Sequence, residues 1–161
     1  MTTAVNGSQP QWSVDELIRH RGDISLLDRI MGHGDTWLEA RAVITRNNLF
    51  FEHGEVPAWV GIEYMAQAVA AWAGTRALTE GRPVRVGFLL GSRRYETNVA
   101  GFVEGSTLRI RVDQEMQGDN GLGVFNCRIS GREPRGQDFE ASARLNVYQP
   151  DEFDDLLKVE S

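Results

Sequence analysis

The sequence predicts an α+β domain in which one antiparallel sheet wraps a single long helix, and three observations carry that prediction. Residues 58–73 are apolar or small on nearly every face, the mark of a buried helix rather than a surface one. Four segments of strand-like pattern follow it, parted by turn-forming stretches such as Gly118-Asp119-Asn120-Gly121. Two shorter strand-like segments precede it, on either side of Gly32-His33-Gly34-Asp35. A sheet with one apolar face can bury such a helix, which is the layering of an α+β fold.

Each element has its own signal. Ser13 with Glu16 three residues on forms a capping box, and Trp12 before it can staple onto Leu17, so a short helix opens here and ends near His20-Arg21-Gly22. Residues 24–31 read as a first strand. Residues 37–45 read as a second, with Leu38, Ala40, Ala42 and Ile44 on one face, and the two can form a hairpin. Pro57 suits the first position of the long helix, which ends near Leu78 ahead of Glu80-Gly81-Arg82-Pro83. The strands after it span 84–96, 107–116, 122–131 and 139–148. Their inward residues are Leu108, Ile110, Val112 and Met116, then Phe125, Cys127 and Ile129, then Phe139, Ala141, Ala143, Leu145 and Val147.

Composition narrows the function classes. With 161 residues, 41% of them hydrophobic and 25% charged, the chain is long enough for one domain with a sizeable core. We divide it into a flexible stretch at 1–12, a single domain at 13–150 and an acidic tail at 151–161. A net charge of −6 argues against a general nucleic-acid binder, and the tail holds five acids against Lys158. Lys158 is the sole lysine; the other basic residues are arginines, which coding bias explains. One cysteine, Cys127, allows no intrachain disulfide, and its place among core residues marks it as a buried small side chain. His20, His33 and His53 show no metal-ligand spacing, so no metal is expected. The first dozen residues lack the basic and apolar regions of a secretory signal, and the long helix is too interrupted to span a bilayer, so a cytoplasmic protein is expected.

The residues that invite chemistry cluster at the start of the long helix. Glu63 is a carboxylate on an apolar helix, costly to bury unless partnered or neutral. Gln67 lies one turn on, and His53 sits in the turn before the helix. A histidine there is commonly a capping or turn residue, and partnered buried carboxylates are common too, so the residue types alone leave both readings open.

Three motifs resemble those of the hot-dog-fold 3-hydroxyacyl-acyl-carrier-protein dehydratases. They are Leu17-Ile18-Arg19-His20-Arg21-Gly22-Asp23-Ile24-Ser25-Leu26-Leu27-Asp28-Arg29, then Phe50-Phe51-Glu52-His53, and then Pro57-Ala58-Trp59-Val60-Gly61-Ile62-Glu63-Tyr64-Met65-Ala66-Gln67. The last is similar in phrase to divergent dehydratase-like proteins encoded with aryl-polyene and related polyketide pathways. Two features depart from the pattern: only Gly54-Glu55-Val56 separates His53 from Pro57, and Ala58 replaces the glycine at the helix start.

The resemblance implies dehydration of a 3-hydroxyacyl thioester to a trans-2-enoyl thioester. His53 would then be the base, and Glu63, its pKa raised by the apolar helix, the acid. The backbone N–H groups of Ala58 and Trp59 would face the thioester oxygen, and Gln67 would be in support. It implies no cofactor beyond the phosphopantetheine that carries the substrate. The partners it implies are an acyl carrier protein, or a coenzyme A thioester, and a second copy or a related dehydratase chain. Arg76, Arg82, Arg85, Arg93 and Arg94 form a basic run that either steers such an acidic partner or is merely a solvated strand end. His20 is expected to link the N-terminal segment to the sheet. An acyl thioesterase of the same fold, and a non-catalytic acyl-binding or partner subunit, stand as alternatives.

Overall fold

The computed structural model describes residues 12–18, 25–84 and 87–149. The chain runs α1 (Val14–Leu17), β1 (Arg29–His33), β2 (Trp37–Val43), β3 (Glu55–Pro57), a 3-10 turn (Ala58–Val60), α2 (Gly61–Thr79), β4 (Phe88–Thr97), β5 (Gly101–Val103), β6 (Thr107–Gln117), β7 (Leu122–Arg132) and β8 (Asp138–Tyr148). Six strands form one antiparallel sheet in the order β1-β2-β6-β7-β8-β4, and β3 pairs with β5 in a two-stranded ribbon. The sheet curls around α2. This is the hot-dog arrangement, with one central helix and an antiparallel wrap.

Period-two alternation places the core. Leu38, Ala40, Ala42, Ile44, Leu108, Ile110, Val112, Ile129 and Leu145 have no exposed surface, and Phe125 and Phe139 are 1% exposed. They pack against Tyr64, Met65, Ala68 and Ala71 of α2. Burial of each large aliphatic or aromatic side chain contributes about 1.5–3 kcal/mol, so this inner face dominates stability. α2 approaches α1 closely at Gly74, where a Cβ would overlap the Leu17 carbonyl. At the start of α1 the capping box is present: Ser13 accepts from the Glu16 N–H and Glu16 from the Ser13 N–H.

The structure corrects several expectations. Pro57 does not open the helix: it ends β3, and the α-helix begins four residues later, at Gly61, after the 3-10 turn. The cause is tertiary, because Val56 is drawn into the ribbon opposite Phe102 and the Ala58 N–H donates to the Ala100 carbonyl at 3.0 Å. The ribbon itself has no clear periodic signal, since each strand is three residues long. Met116 is 57% exposed rather than inward, because the β6–β7 register shifts between Gln114 and Met116 and turns the side chain to the other face. The first strand begins at Arg29, and α1 ends at Leu17 because Ile18 is already extended. His20, most of the 1–12 stretch and the 151–161 tail lie outside the described residues.

Candidate active site

Three local arrangements build the start of α2. The first is the turn that carries His53. The Glu52 N–H donates to the Glu55 carbonyl at 2.8 Å, and the Glu55 N–H returns the bond at 3.1 Å. Between them His53 (φ 55°) and Gly54 (φ 85°) both lie in the left-handed region. Two positive φ values in a two-residue loop define a type I′ turn, which glycine adopts freely and histidine tolerates better than most side chains. His53 therefore stands at the apex of a tight hairpin, its side chain 91% exposed and its Nδ1 4.0 Å from the Glu52 carboxylate.

The second is the anchor behind that turn. Asn48 accepts from the Phe50 N–H at 2.7 Å through Oδ1 and donates to the Tyr64 hydroxyl at 2.9 Å through Nδ2. Tyr64 has no exposed surface, and burial pushes its phenol up to about 12. The loop bearing Phe50, Phe51 and His53 is thus tied to the residue next to Glu63. Sequence reasoning passed over both groups: Tyr64 looks like packing filler inside the helix motif, and Asn48 looks like an ordinary turn residue. An asparagine two residues before an aromatic pair was the available signal, as an Asx turn.

The third is the seat of the helix start. The Tyr95 hydroxyl donates to the Ala58 carbonyl. A Cβ at Gly61 would overlap that same hydroxyl, so glycine is required where the helix passes over Tyr95. With its N–H engaged by Ala100, Ala58 is not a free oxyanion donor, which corrects the expectation for that residue. Trp59 lies in the first turn, where a backbone N–H has no intrahelical acceptor.

Glu63 is the one exposed residue between Gly61 and Leu78; every other position there is buried or half-buried. The expected burial of this carboxylate does not occur in the single chain, because Glu63 points away from the sheet that wraps the helix. One turn earlier Trp59 is 60% exposed and meets Phe50 edge-on at 5.7 Å, and Leu49 next to Phe50 is 64% exposed. Among the described residues no hydrogen bond or ion pair joins His53 to Glu63. Gln67 turns inward and accepts from the Leu26 N–H at 2.8 Å, a bond that ties α2 to the segment before β1.

The arginine run divides. Arg76 pairs with Asp35 at 3.0 Å and Glu80 at 3.4 Å, and Arg82 pairs with Glu80 at 2.7 Å. Arg93 and Arg94 stand exposed on the edge strand β4, without an ion pair among the described residues. Arg94 has φ 57° within a bulge. Arg85 lies outside the described residues.

A curled sheet around one helix, with an exposed carboxylate and histidine near the helix start, is the frame of a hot-dog protein. The profile of the ApeP-like family, described as ApeP dehydratase, matches residues 12–158, and the chain belongs to that family. Among solved structures, the dehydratase heterocomplex ApeI:P from Xenorhabdus doucetiae is 27% identical, with a TM-score of 0.79, covering 94% of this chain and 100% of that one. The PaaI protein of the E. coli phenylacetic acid degradation operon is 14% identical (TM-score 0.56), covering 74% of this chain and 81% of that one. A hypothetical thioesterase with coenzyme A from Streptococcus pneumoniae is 13% identical (TM-score 0.56), covering 76% and 85%. These last two share the fold alone. No curated protein sequence matches this one. No helix among the described residues is long and apolar enough to cross a membrane.

Proposed function

We propose that the chain takes part in removing water from a 3-hydroxyacyl thioester carried on an acyl carrier protein, giving the trans-2-enoyl thioester. The observation that carries this reading is Glu63, the one exposed residue between Gly61 and Leu78, in a chain of the ApeP-like dehydratase family. In this reading His53 takes the C2 proton, the C3–O bond breaks, and Glu63 gives its proton to the departing hydroxyl, which leaves as water. The Trp59 N–H faces the thioester oxygen at the positive end of α2. Leu49, Phe50 and Trp59 form the apolar wall for the acyl chain, and Arg93 and Arg94 approach the phosphate of the phosphopantetheine arm.

The second wall belongs to another chain. Support comes from the outward face of Glu63, from the open edge of β4 with Leu89 and Leu90 exposed, and from the heterocomplex to which this chain is similar. His53 of one chain then meets Glu63 of the facing one, and the second chain covers the exposed carboxylate. The test is turnover of a 3-hydroxyacyl carrier protein by the purified chain, alone and with a related dehydratase subunit. Enoyl product that disappears with Glu63→Gln is the expected result; no product under either condition would sink the proposal.

A second reading is a non-catalytic subunit that shapes a partner's site. It is favoured by one feature: His53 sits at the tip of a two-residue turn, and among the described residues its one ion pair is with Glu52. Full activity of the complex with His53→Ala and Glu63→Gln together would establish it.

A further inference from the structure

The face of the six-stranded sheet turned away from α2 carries arginines in direct register. Arg29 of β1 is opposite Arg41 of β2, and Arg41 is opposite Arg109 of β6. In the next row, Arg111 of β6 is opposite Arg128 of β7. Adjacent strands lie about 4.8 Å apart, so the stems of these side chains rise side by side. Like charges directly opposite one another destabilise a sheet.

The local compensation is incomplete. Glu39 reaches Arg109 at 3.3 Å and Arg111 at 3.9 Å, and Asp113 reaches Arg111 at 3.0 Å. Arg29, Arg41 and Arg128 are exposed and make no ion pair among the described residues. The Arg111 guanidinium lies 4.3 Å from the centre of the Trp37 ring, which holds it flat against the sheet. Further across the same face Asp138 pairs with Arg132 and Glu115 with Arg144, which leaves Arg29, Arg41 and Arg128 as exposed cations on a chain whose net charge is −6. Scarcity of lysine explains why these cations are arginines; it does not explain why they stand opposite one another in two rows, one across β1, β2 and β6 and one across β6 and β7.

We propose that this face docks the acidic surface of a partner protein. Charge complementarity is the argument: three guanidinium groups without an ion pair among the described residues, each able to hold a carboxylate in a two-pronged bond, rise from the outer face of one sheet. A nucleic acid fits less well, since Glu39 and Asp113 interrupt the cationic row and the whole molecule repels a polyanion. The surface lies on the opposite side of the sheet from His53 and Glu63, so the inference stands apart from the proposed thioester chemistry.

The test uses the full chain and labelled poly-L-glutamate as the carboxylate probe, read by fluorescence anisotropy at low salt. Wild type is expected to bind, and added salt to weaken the complex. Arg29→Gln, Arg41→Gln and Arg128→Gln combined should lower affinity by about tenfold or more, the sum of several modest exposed charges. The control Arg82→Gln should bind as wild type does. The triple variant should also melt at or above the wild-type temperature, since it removes like-charge repulsion. Equal binding by wild type and triple variant would overturn the proposal, as would tighter binding of single-stranded DNA than of poly-L-glutamate. Two other occupants would overturn it as well. Loss of self-association in the triple variant would assign the face to a second copy, and tighter probe binding by Asp154→Asn with Asp155→Asn would assign it to the chain's own acidic segment.

Discussion

The two halves of α2 handle their charged side chains in opposite ways, Glu63 standing exposed and Arg76 paired. In the C-terminal half Trp72, Thr75 and Arg76 all find partners within the chain. Thr75 donates to the Trp72 carbonyl at 2.6 Å, the Trp72 indole donates to the Asp35 carbonyl at 3.2 Å, and Arg76 is shared between Asp35 and Glu80. Gly74 brings the helix against the Leu17 backbone. In the N-terminal half Glu63 is exposed one turn after the exposed Trp59, and His53 stands on a hairpin tip. A closed half stabilises the fold; an open half is incomplete until something covers it. Substitutions in the two halves should therefore separate stability from activity.

The largest expected effect is on activity. Glu63→Gln should lower turnover by the complete complex about 10²–10⁴-fold, the range for a lost acid or base. Its melting temperature should stay near wild type, because the side chain is exposed in the single chain. A variant that unfolds instead would place Glu63 with the closed half and break the contrast. The converse case is Gly74→Ala. Its new methyl group would overlap the Leu17 carbonyl, and α1 must shift to admit it, at a cost of about 2 kcal/mol. Denaturant titration reads that loss, and specific activity per folded molecule should hold.

Much of this division was legible in the sequence, for a physical reason. Leu38, Ala40, Ala42 and Ile44 alternate and are all fully buried, because period two leaves a strand no choice of face once one face meets the helix. Glu63 was legible as an anomaly, a carboxylate in a run of small and apolar residues. Its exposure was not legible, because exposure depends on which flank of the helix the sheet leaves open. Met116 fits the alternation up to a bulge that no local residue announces. The Pro57 expectation failed through the ribbon, where a pairing between residues far apart in sequence overrode a local preference. Asn48 and Tyr64 carry no periodic signal at all; their bond spans 16 residues and shows only in three dimensions.

That bond gives a smaller effect that sharpens the comparison, since it joins the open half to the core. Tyr64→Phe leaves the Asn48 amide without its acceptor and should cost about 1–2 kcal/mol. Hydrogen exchange should rise most at Phe50 and Phe51, while α1 and the C-terminal turns of α2 keep their protection. If exchange rises evenly across the molecule, the pair is general packing and the hairpin is held by other means.

The smallest effect concerns pH and tests the closed half. Burial, and to a lesser degree the Arg76 charge, hold the His33 imidazole below its ordinary 6.5. The folded state thus resists a proton that the unfolded chain accepts, so this group's contribution is fully present above 6.5 and is lost as pH falls from there through the lowered folded value. Glu80 and Glu104 act in a lower window. The hydrogen bonds from Arg82 and Arg46, respectively, depress their carboxyls, so that stability is present above 4.5 and disappears below it. Melting temperature against pH should therefore fall in two stages on acidification. His33→Gln should flatten the upper stage and leave the lower one, since the amide keeps polar contact but takes up no proton. Arg76→Gln should make the upper stage slightly shallower and end it at a higher pH, because removing a nearby positive charge lets the folded imidazole move back toward its ordinary value. An upper stage unchanged by either substitution would show that the closed half is not electrostatically coupled to β1, and that the contrast between the halves rests on packing at Gly74 alone.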